Sequence, residues 1–157
     1  MLLRDLKANG FTLVELVTVI VLVSTLSVVA LSRLDGLNVF EEKAYFDEVT
    51  NALRYAQKLA QSTGCNVRVS ITSTSYRLQQ GSSCTATTYD RNVLNPANRT
   101  AAYQNVTPPE GITISPSPSS LIFTAQSTVT GLSADTSFSV GSFSFTVYRN
   151  TGLVSVN

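Results

Sequence analysis

The sequence predicts an α+β protein in which a long N-terminal helix, one half apolar and one half amphipathic, packs against a C-terminal antiparallel β-sheet domain. Three patterns predict this fold class. Residues 11–32 are almost uninterruptedly apolar, residues 39–62 repeat apolar side chains at spacings of three and four, and residues beyond 65 alternate apolar and polar side chains. The first two patterns are helical, and the third is typical of strands with one buried face.

The apolar run is long enough to cross a membrane. Its 22 residues include one charged side chain, Glu15. As a helix rising about 1.5 Å per residue it would reach about 33 Å, which matches a bilayer core of about 30 Å. Arg4 and Lys7 precede the run and Arg33 follows it. Basic residues favour the cytoplasmic side, so the leader predicts a cytoplasmic N-terminus and export of the rest of the chain.

Glu15 is the unusual residue of this run. A carboxylate inside hydrocarbon costs about 2.5 to 3.5 kcal/mol on insertion scales, so an acid there is normally absent, interfacial or paired. One interpretation is that Glu15 lies one turn inside the boundary and reaches back to the lipid headgroups. The other is that a cation supplied by another chain neutralises it. The residues alone leave both interpretations open.

The segment Gly10-Phe11-Thr12-Leu13-Val14-Glu15-Leu16 closely resembles the class III signal of type IV pilins and type II secretion pseudopilins. The resemblance combines a short basic leader, Gly before Phe, Glu four positions beyond Phe, and about 20 apolar residues. An ordinary secretory signal would instead be cleaved after its apolar region and lose it. Val28-Val29-Ala30 is a poor version of such a site.

The resemblance implies how the chain is processed. A prepilin peptidase would cut between Gly10 and Phe11 and methylate the new amino group, and the apolar segment would be retained. Glu15 would then pair with the Phe11 amino terminus, often that of a neighbouring subunit, as helices pack side by side in a filament. The implied organisation is a leader peptide at 1–10, a transmembrane and filament-core helix at 11–34, an amphipathic spine helix at 35–64 and a periplasmic β-rich domain at 65–157.

The spine helix is predicted from its apolar face and its C-terminal stop. Thr63-Gly64 is a suitable helix end, and Gly36 predicts a local loosening before the spine because Gly costs a helix interior about 1 kcal/mol relative to Ala. The apolar positions expected to face the sheet are Phe46, Val49, Leu53, Ala56, and Leu59 or Ala60.

Beyond the spine the pattern predicts a hairpin. Val67, Val69 and Ile71 alternate with polar residues, residues 73–75 form a turn, and the alternation resumes from Tyr76 to Gln79. This period of two is that of a half-buried strand pair.

Cys65 and Cys84 flank this hairpin. In an exported domain they are interpreted first as a disulfide that closes a loop of about 20 residues, worth about 3 kcal/mol in the chain-entropy model. Two buried free thiols are the structural alternative, which an oxidising periplasm disfavours. A catalytic or metal-binding pair is a weaker interpretation, because the chain has no CxxC motif and no His.

The C-terminal half divides into an irregular part and a low-charge part. Residues 85–109 are predicted to be a long loop pinned to the sheet by its Arg and Tyr residues, and stacking of those residues on bases or sugars is the alternative. The last 46 residues contain two charges among 18 Ser and Thr. Short alternations there predict strands at Ile112 and Ile114, at Leu121 and Phe123, and in a closing hairpin. That hairpin runs from Phe143 to Val156 around Asn150-Thr151-Gly152.

Composition excludes several classes of function. The chain has no His, which removes Ser-His-Asp and Cys-His nucleophile arrangements and His-based metal sites. Residues 65–157 hold five Arg and three acids, a net of +2, which is weak for nucleic-acid binding. Asp135 stands alone after Glu110, so the acidic calcium loop of major pseudopilins is not expected. We therefore expect no enzyme activity, no metal and no cofactor.

The finer resemblance is to minor pilins and pseudopilins of the H-type or FimT-like branch, including those of mannose-sensitive haemagglutinin pilus systems. It implies a structural subunit that helps to initiate or cap a type IV pilus or related filament. The implied partners are the prepilin peptidase, other major and minor pilin subunits, the inner-membrane assembly platform and, before assembly, membrane lipid. The implied location is the inner membrane, with the C-terminal domain in the periplasm. A type II secretion pseudopilin and a DNA-binding minor pilin are the alternatives.

Overall fold

The computed structural model describes residues 11–31, 36–116 and 120–157, with side chains left out at residues 28–37. The predicted leader at 1–10, and part of the stretch where we predicted a loosened helix, lie outside the described residues. The chain divides into two compact units, one up to Val39 and one from Phe40 to Asn157. The two units are described separately below.

Two helices precede the strands. Helix α1 spans Leu13–Leu31 and helix α2 spans Gly36–Thr63. Gly64 follows α2 with a φ of 69°, the left-handed conformation that ends a helix and that Gly adopts without steric cost. The predicted apolar face of α2 is its buried face, since the side chains of five predicted residues are at most 1% exposed. They are Phe46, Val49, Leu53, Ala56 and Ala60.

Twelve strands follow in the described residues. They are β1 (Val67–Ile71), β2 (Tyr76–Gln80), β3 (Arg91–Asn92), β4 (Leu94–Asn95), β5 (Asn98–Ala102), β6 (Gln104–Asn105), β7 (Ile114–Ser115), β8 (Leu121–Phe123), β9 (Val129–Thr130), β10 (Thr136–Val140), β11 (Phe143–Val147) and β12 (Val154–Val156). The α+β fold class is thereby confirmed.

These strands form two antiparallel sheets and a small hairpin. The first sheet has the order β3-β2-β1-β8-β9, with β6 also paired to β2. The second has the order β12-β11-β10-β7, and β4 pairs with β5. The predicted first hairpin is confirmed as β1 and β2, with Val69 opposite Leu78. The predicted closing hairpin is confirmed as β11 and β12, with Val147 opposite Val154.

Helix α2 is the element that holds both sheets together within the second unit. The Phe46 ring lies 5.4 Å from the Phe143 ring and 6.0 Å from the Phe145 ring, centroid to centroid, which fixes α2 to the second sheet. On the other side the Tyr55 ring lies 5.3 Å from Tyr103, beside the first sheet. Such aromatic pairs contribute about 0.5 to 1.5 kcal/mol each beyond their buried area.

The prediction of an irregular segment at 85–109 was wrong in part, because β3 to β6 lie within it. These strands are short and use few apolar side chains, so the sequence pattern is weak there. Their backbone groups pair with β2 and with each other; for example, Asn92 of β3 lies opposite Gln79 of β2. The expected pinning by aromatic residues is present, since Tyr103 packs against Tyr55 and Tyr76.

Candidate assembly site

The N-terminal end of α1 carries the predicted processing and assembly residues. Thr12 caps the helix: its side-chain oxygen accepts the Glu15 N–H at 3.2 Å and its carbonyl oxygen accepts the Leu16 N–H at 3.2 Å. Thr12 and Glu15 have the spacing of a capping box, which places the Glu15 carboxylate near the positive end of the helix dipole. This local geometry is favourable for an acid. Gly10, the other half of the predicted cleavage site, lies outside the described residues.

Neither Phe11 nor Glu15 is covered by other parts of the described chain. Phe11 is 74% exposed and Glu15 is also exposed. Within the described residues the ion pair is that of Lys43 with Asp47, so Glu15 has no cationic partner there. The pairing of Glu15 with a Phe11 amino terminus therefore stays a prediction.

The side-chain surface of α1 is apolar on every side over the part that the structure describes. Eleven large apolar side chains between Phe11 and Leu26 are each 45% to 79% exposed. They are Phe11, Leu13, Val14, Leu16, Val17, Val19, Ile20, Val21, Leu22, Val23 and Leu26. A soluble monomer rarely exposes a contiguous apolar surface of this kind, and a helix that is apolar all round is normally covered.

The hydroxyl groups of α1 are satisfied by the helix itself. Thr18 donates to the Glu15 carbonyl oxygen at 2.9 Å, and Ser24 and Thr25 donate to carbonyl oxygens three residues earlier. Ser27 donates to the Val23 carbonyl oxygen at 2.7 Å. These bonds remove the need for water at the hydroxyls, so the helix can be buried in an apolar environment at little cost.

Among the residues that the structure describes, no helix combines the length and the apolar character needed to cross a membrane.

The second unit contains a polar cluster centred on Glu48 that sequence reasoning missed. Tyr76 donates its hydroxyl to Glu48 Oε1 at 2.5 Å, and Asn105 donates its side-chain N–H to Glu48 Oε2 at 2.9 Å. Burial first, and then this hydrogen bond, raise the pKa of Tyr76 far above its usual range. The cluster joins α2 to strands β2 and β6. No local sequence pattern marks Glu48 for these contacts, because both partners lie far along the chain.

Glu42 makes a second link, from α2 to the second sheet. Its Oε1 accepts hydrogen bonds from the Ser142 hydroxyl at 2.6 Å and from the Ser142 backbone N–H. The hydroxyl bond first, and the backbone bond second, hold the pKa of Glu42 below its ordinary value of 4.5. Further along α2, the Arg54 guanidinium donates to the Val154 carbonyl oxygen at 3.2 Å.

The structure joins Cys65 and Cys84 in a disulfide, as predicted, and no described cysteine is free. The bond ties the residue just after α2 to the loop that follows β2. It therefore closes the first hairpin onto the end of the helix.

Neither a metal site nor a nucleic-acid-binding site is supported by the described residues. No group of His, Cys, Asp and Glu is placed to hold a metal ion there. Arg68, one of the five C-terminal-half arginines, is engaged internally: it donates to Gln79 and to the Tyr89 carbonyl oxygen at 2.8 Å each and lies 5.0 Å from the Tyr89 ring centroid. These contacts with neutral groups fix the position of the Arg68 side chain against the first sheet.

Comparison with known proteins gives a match to the N-terminal segment and a similarity in fold. A family model described as the prokaryotic N-terminal methylation motif matches residues 5–31. One crystal structure of the Pseudomonas aeruginosa (strain PAO1) type IV minor pilin FimU aligns with a TM-score of 0.54 and 14% identity, covering 76% of this chain and 90% of FimU. A second crystal form aligns with a TM-score of 0.50 and 14% identity, covering 73% and 91%. No curated protein matches the chain significantly.

The chain thus combines a pilin-like fold with an N-terminal methylation motif. At 14% identity the structural likeness establishes the fold, and the predicted pilin-like architecture is confirmed. The motif matches residues 5–31, and the fold is similar to that of the type IV minor pilin FimU.

Proposed function

We propose that this chain is a minor pilin, a low-abundance structural subunit that helps to initiate or cap assembly of a type IV pilus after prepilin-peptidase cleavage. The proposal rests on helix α1. Its exposed side-chain surface is apolar on every side, and a single carboxylate, that of Glu15, lies in its first turn. Such a surface is suited to lipid before assembly and to a bundle of identical or related helices afterwards. The likeness to a type IV minor pilin favours a pilus over a secretion pseudopilus.

In this mechanism the apolar run first holds the subunit in the inner membrane, with residues 65–157 in the periplasm. Cleavage after Gly10 creates a positive amino group on Phe11, which is then methylated. That cation pairs with the Glu15 carboxylate of a neighbouring chain. The ion pair offsets the cost of an isolated carboxylate in apolar surroundings. The assembly platform then moves the helix from lipid into the filament core.

The test is the substitution Glu15→Ala, with Glu110→Ala as a matched loss of one exposed acid elsewhere in the chain. Both variants should reach wild-type levels in the membrane. The amount of Glu15→Ala recovered in sheared filaments should fall more than about tenfold. Loss of an ion pair worth about 1.4 kcal/mol per subunit would change the equilibrium between membrane and filament tenfold. Glu110→Ala should be incorporated normally. Normal incorporation of Glu15→Ala would remove the proposed role of this residue.

The processing step has its own measurement. The mass of the mature protein should correspond to a chain that begins at N-methylated Phe11. A filament subunit that retains residues 1–10 would contradict the proposal as a whole.

A further inference from the structure

Strand β12 forms one edge of the second sheet, and one side of its backbone faces away from its neighbour β11. The Tyr148 N–H donates to the Leu153 carbonyl oxygen at 2.9 Å, which marks Leu153 as a residue that is hydrogen-bonded to the β11 strand. In an antiparallel pair such residues alternate with residues whose N–H and carbonyl groups point to the other side. Val154 and Val156 therefore direct their backbone groups to the outer edge of the sheet.

The composition of this edge strand favours pairing with another strand. Unpaired N–H and carbonyl groups along an edge can extend the sheet, and natural proteins discourage this with charged side chains or Pro on the edge strand. The sequence from Leu153 to Asn157 contains neither. Val156 is also 45% exposed. Strand β12 itself thus carries nothing that would keep a second copy of the strand away.

The outer edge of β12 is instead covered by a side chain of helix α2. The Arg54 guanidinium donates to the Val154 carbonyl oxygen from Nε at 3.3 Å and from Nη2 at 3.2 Å. Three residues further along the helix, Gln57 donates its side-chain N–H to the Thr151 carbonyl oxygen at 3.0 Å, in the turn before β12. Arg54 therefore occupies the position at which an N–H group of an incoming strand would bond to Val154.

Two other edge strands are closed by main-chain groups. In β7 the Ile114 N–H donates to the Ser73 carbonyl oxygen at 2.8 Å, and in β9 the Val129 N–H donates to the Arg149 carbonyl oxygen at 2.7 Å. Opening either of these edges requires a movement of the backbone. The edge of β12 differs, because rotation of one long side chain is enough to uncover the Val154 carbonyl oxygen.

We propose that Arg54 is an edge guard, a side chain that prevents β12 from pairing with β12 of a second copy of the chain. Its planar guanidinium presents two donors to one carbonyl oxygen, and its charge opposes the approach of a second, identical edge. Without the guard, Val154 of one copy would exchange hydrogen bonds with Val156 of the other, and the reverse pair would form across a twofold axis. Ser155 of each copy would then lie opposite Ser155 of the other. The guard does not depend on the proposed function.

This register allows a direct test with the full chain in detergent micelles. Residues opposite each other in a non-hydrogen-bonded antiparallel pair have Cα atoms about 4.5 Å apart, which a disulfide can span. Ser155→Cys is therefore the reporter. Under mild oxidation, disulfide-linked dimers should form about tenfold faster when Arg54→Ala is added, because the rate follows the population of paired edges. A tenfold change in that population corresponds to about 1.4 kcal/mol. Association through α1 is common to both chains and does not affect their ratio.

Two controls separate edge pairing from loss of charge and from the added thiol. Lys58→Ala removes a positive charge from an exposed position of the same helix, and it should not accelerate linking of Ser155→Cys. Ser133→Cys places the thiol at an exposed position outside β12, and Arg54→Ala should not accelerate its linking. Equal acceleration in either control would overturn the assignment of the effect to the β12 edge.

Val156→Pro tests whether backbone pairing is the cause of linking. The Val156 N–H faces the outer edge, so Pro at this position removes no hydrogen bond to β11 but removes a donor that edge pairing needs. Added to Arg54→Ala and Ser155→Cys, it should return the linking rate to the rate measured with Arg54 present. Fast linking that persists with Val156→Pro would show that loss of Arg54 unfolds the edge, and it would overturn the guard. Linking of Ser155→Cys at the same rate with and without Arg54 would also overturn it.

Discussion

Two tyrosine-to-phenylalanine substitutions test the polar cluster around Glu48 with the same chemical change. Tyr76→Phe removes a hydroxyl that donates to Glu48 Oε1 at 2.5 Å, from a side chain that is 1% exposed. Tyr45→Phe removes a hydroxyl from a side chain that is 2% exposed but has no partner among the described residues. The two side chains are therefore almost equally buried, and they differ in whether the hydroxyl group makes a hydrogen bond.

The expected magnitudes follow from that difference. A hydrogen bond to a charged group contributes about 1.5 to 3 kcal/mol, and Glu48 is only half-buried, so water replaces part of the lost bond. We expect Tyr76→Phe to lower the free energy of unfolding by about 2 kcal/mol. Tyr45→Phe should leave it unchanged or raise it by up to about 1 kcal/mol, because an unpaired buried hydroxyl is removed.

The measurement is urea unfolding of the full chain in detergent, followed by far-UV circular dichroism. The chain has no Trp, and tyrosine signals would be altered by the substitutions themselves, so a backbone signal is needed. With a slope of about 1 to 2 kcal/mol per molar urea, Tyr76→Phe should move the midpoint down by about 1 to 2 M at constant slope. Losses that agree within about 0.5 kcal/mol for the two variants would refute the assignment of the Glu48 hydrogen bond as the stabilising contact.

Two further predictions concern the remaining links of the second unit. Replacing Cys65 and Cys84 by Ser removes the disulfide, whose two residues are 19 positions apart. The free energy of unfolding in the same urea assay should fall by about 3 kcal/mol. A loss below about 1 kcal/mol would contradict the chain-entropy reasoning. The pKa of Glu42 is held below 4.5 by Ser142, so the stability from this contact is fully present above pH 4.5 and is lost as the pH falls through the lower folded value. Glu42→Gln should therefore lower the stability at neutral pH and make the stability fall less steeply as the pH falls in the acid range. If the variant and the wild type lost stability in parallel in acid, the Glu42–Ser142 contact would not be the source of this pH dependence.

The elements that the sequence predicted are those with strong local periodicity. The apolar face of α2 repeats from Phe46 to Ala60, and Val67 to Ile71 alternate cleanly, so both were predicted with the correct buried side. Strand β10 was not predicted. Its sequence from Thr136 to Val140 contains two apolar side chains, and its pairing with β11 and β7 comes from backbone bonds that composition does not reveal.

The polar contacts within the second unit were beyond sequence reasoning for a different reason. Glu48 meets Tyr76 and Asn105, which lie 28 and 57 residues further along the chain. A helix face that carries Glu41 and Glu48 is ordinarily solvated, and nothing in the local pattern distinguishes an acid that a strand will cover. Such contacts depend on the register of β2 and β6 against the helix. Cys65 and Cys84 could be predicted because two cysteines leave one pairing.

The proposed filament gives Glu15 a role that the rest of α1 cannot supply. The hydroxyls of Thr18, Ser24, Thr25 and Ser27 are satisfied within the helix, so they mark no particular position for a neighbouring helix. An apolar surface packs nearly as well after a slide of one turn, about 5.4 Å, and therefore specifies axial position poorly. A slide that separated Glu15 from a cationic amino terminus would leave a carboxylate in an apolar surrounding, at a cost of about 2.5 to 3.5 kcal/mol per subunit. That difference favours one register by about a hundredfold, since each 1.4 kcal/mol is a factor of about ten. A single charge at the start of the helix is thus sufficient to set axial position, provided that cleavage has supplied its partner.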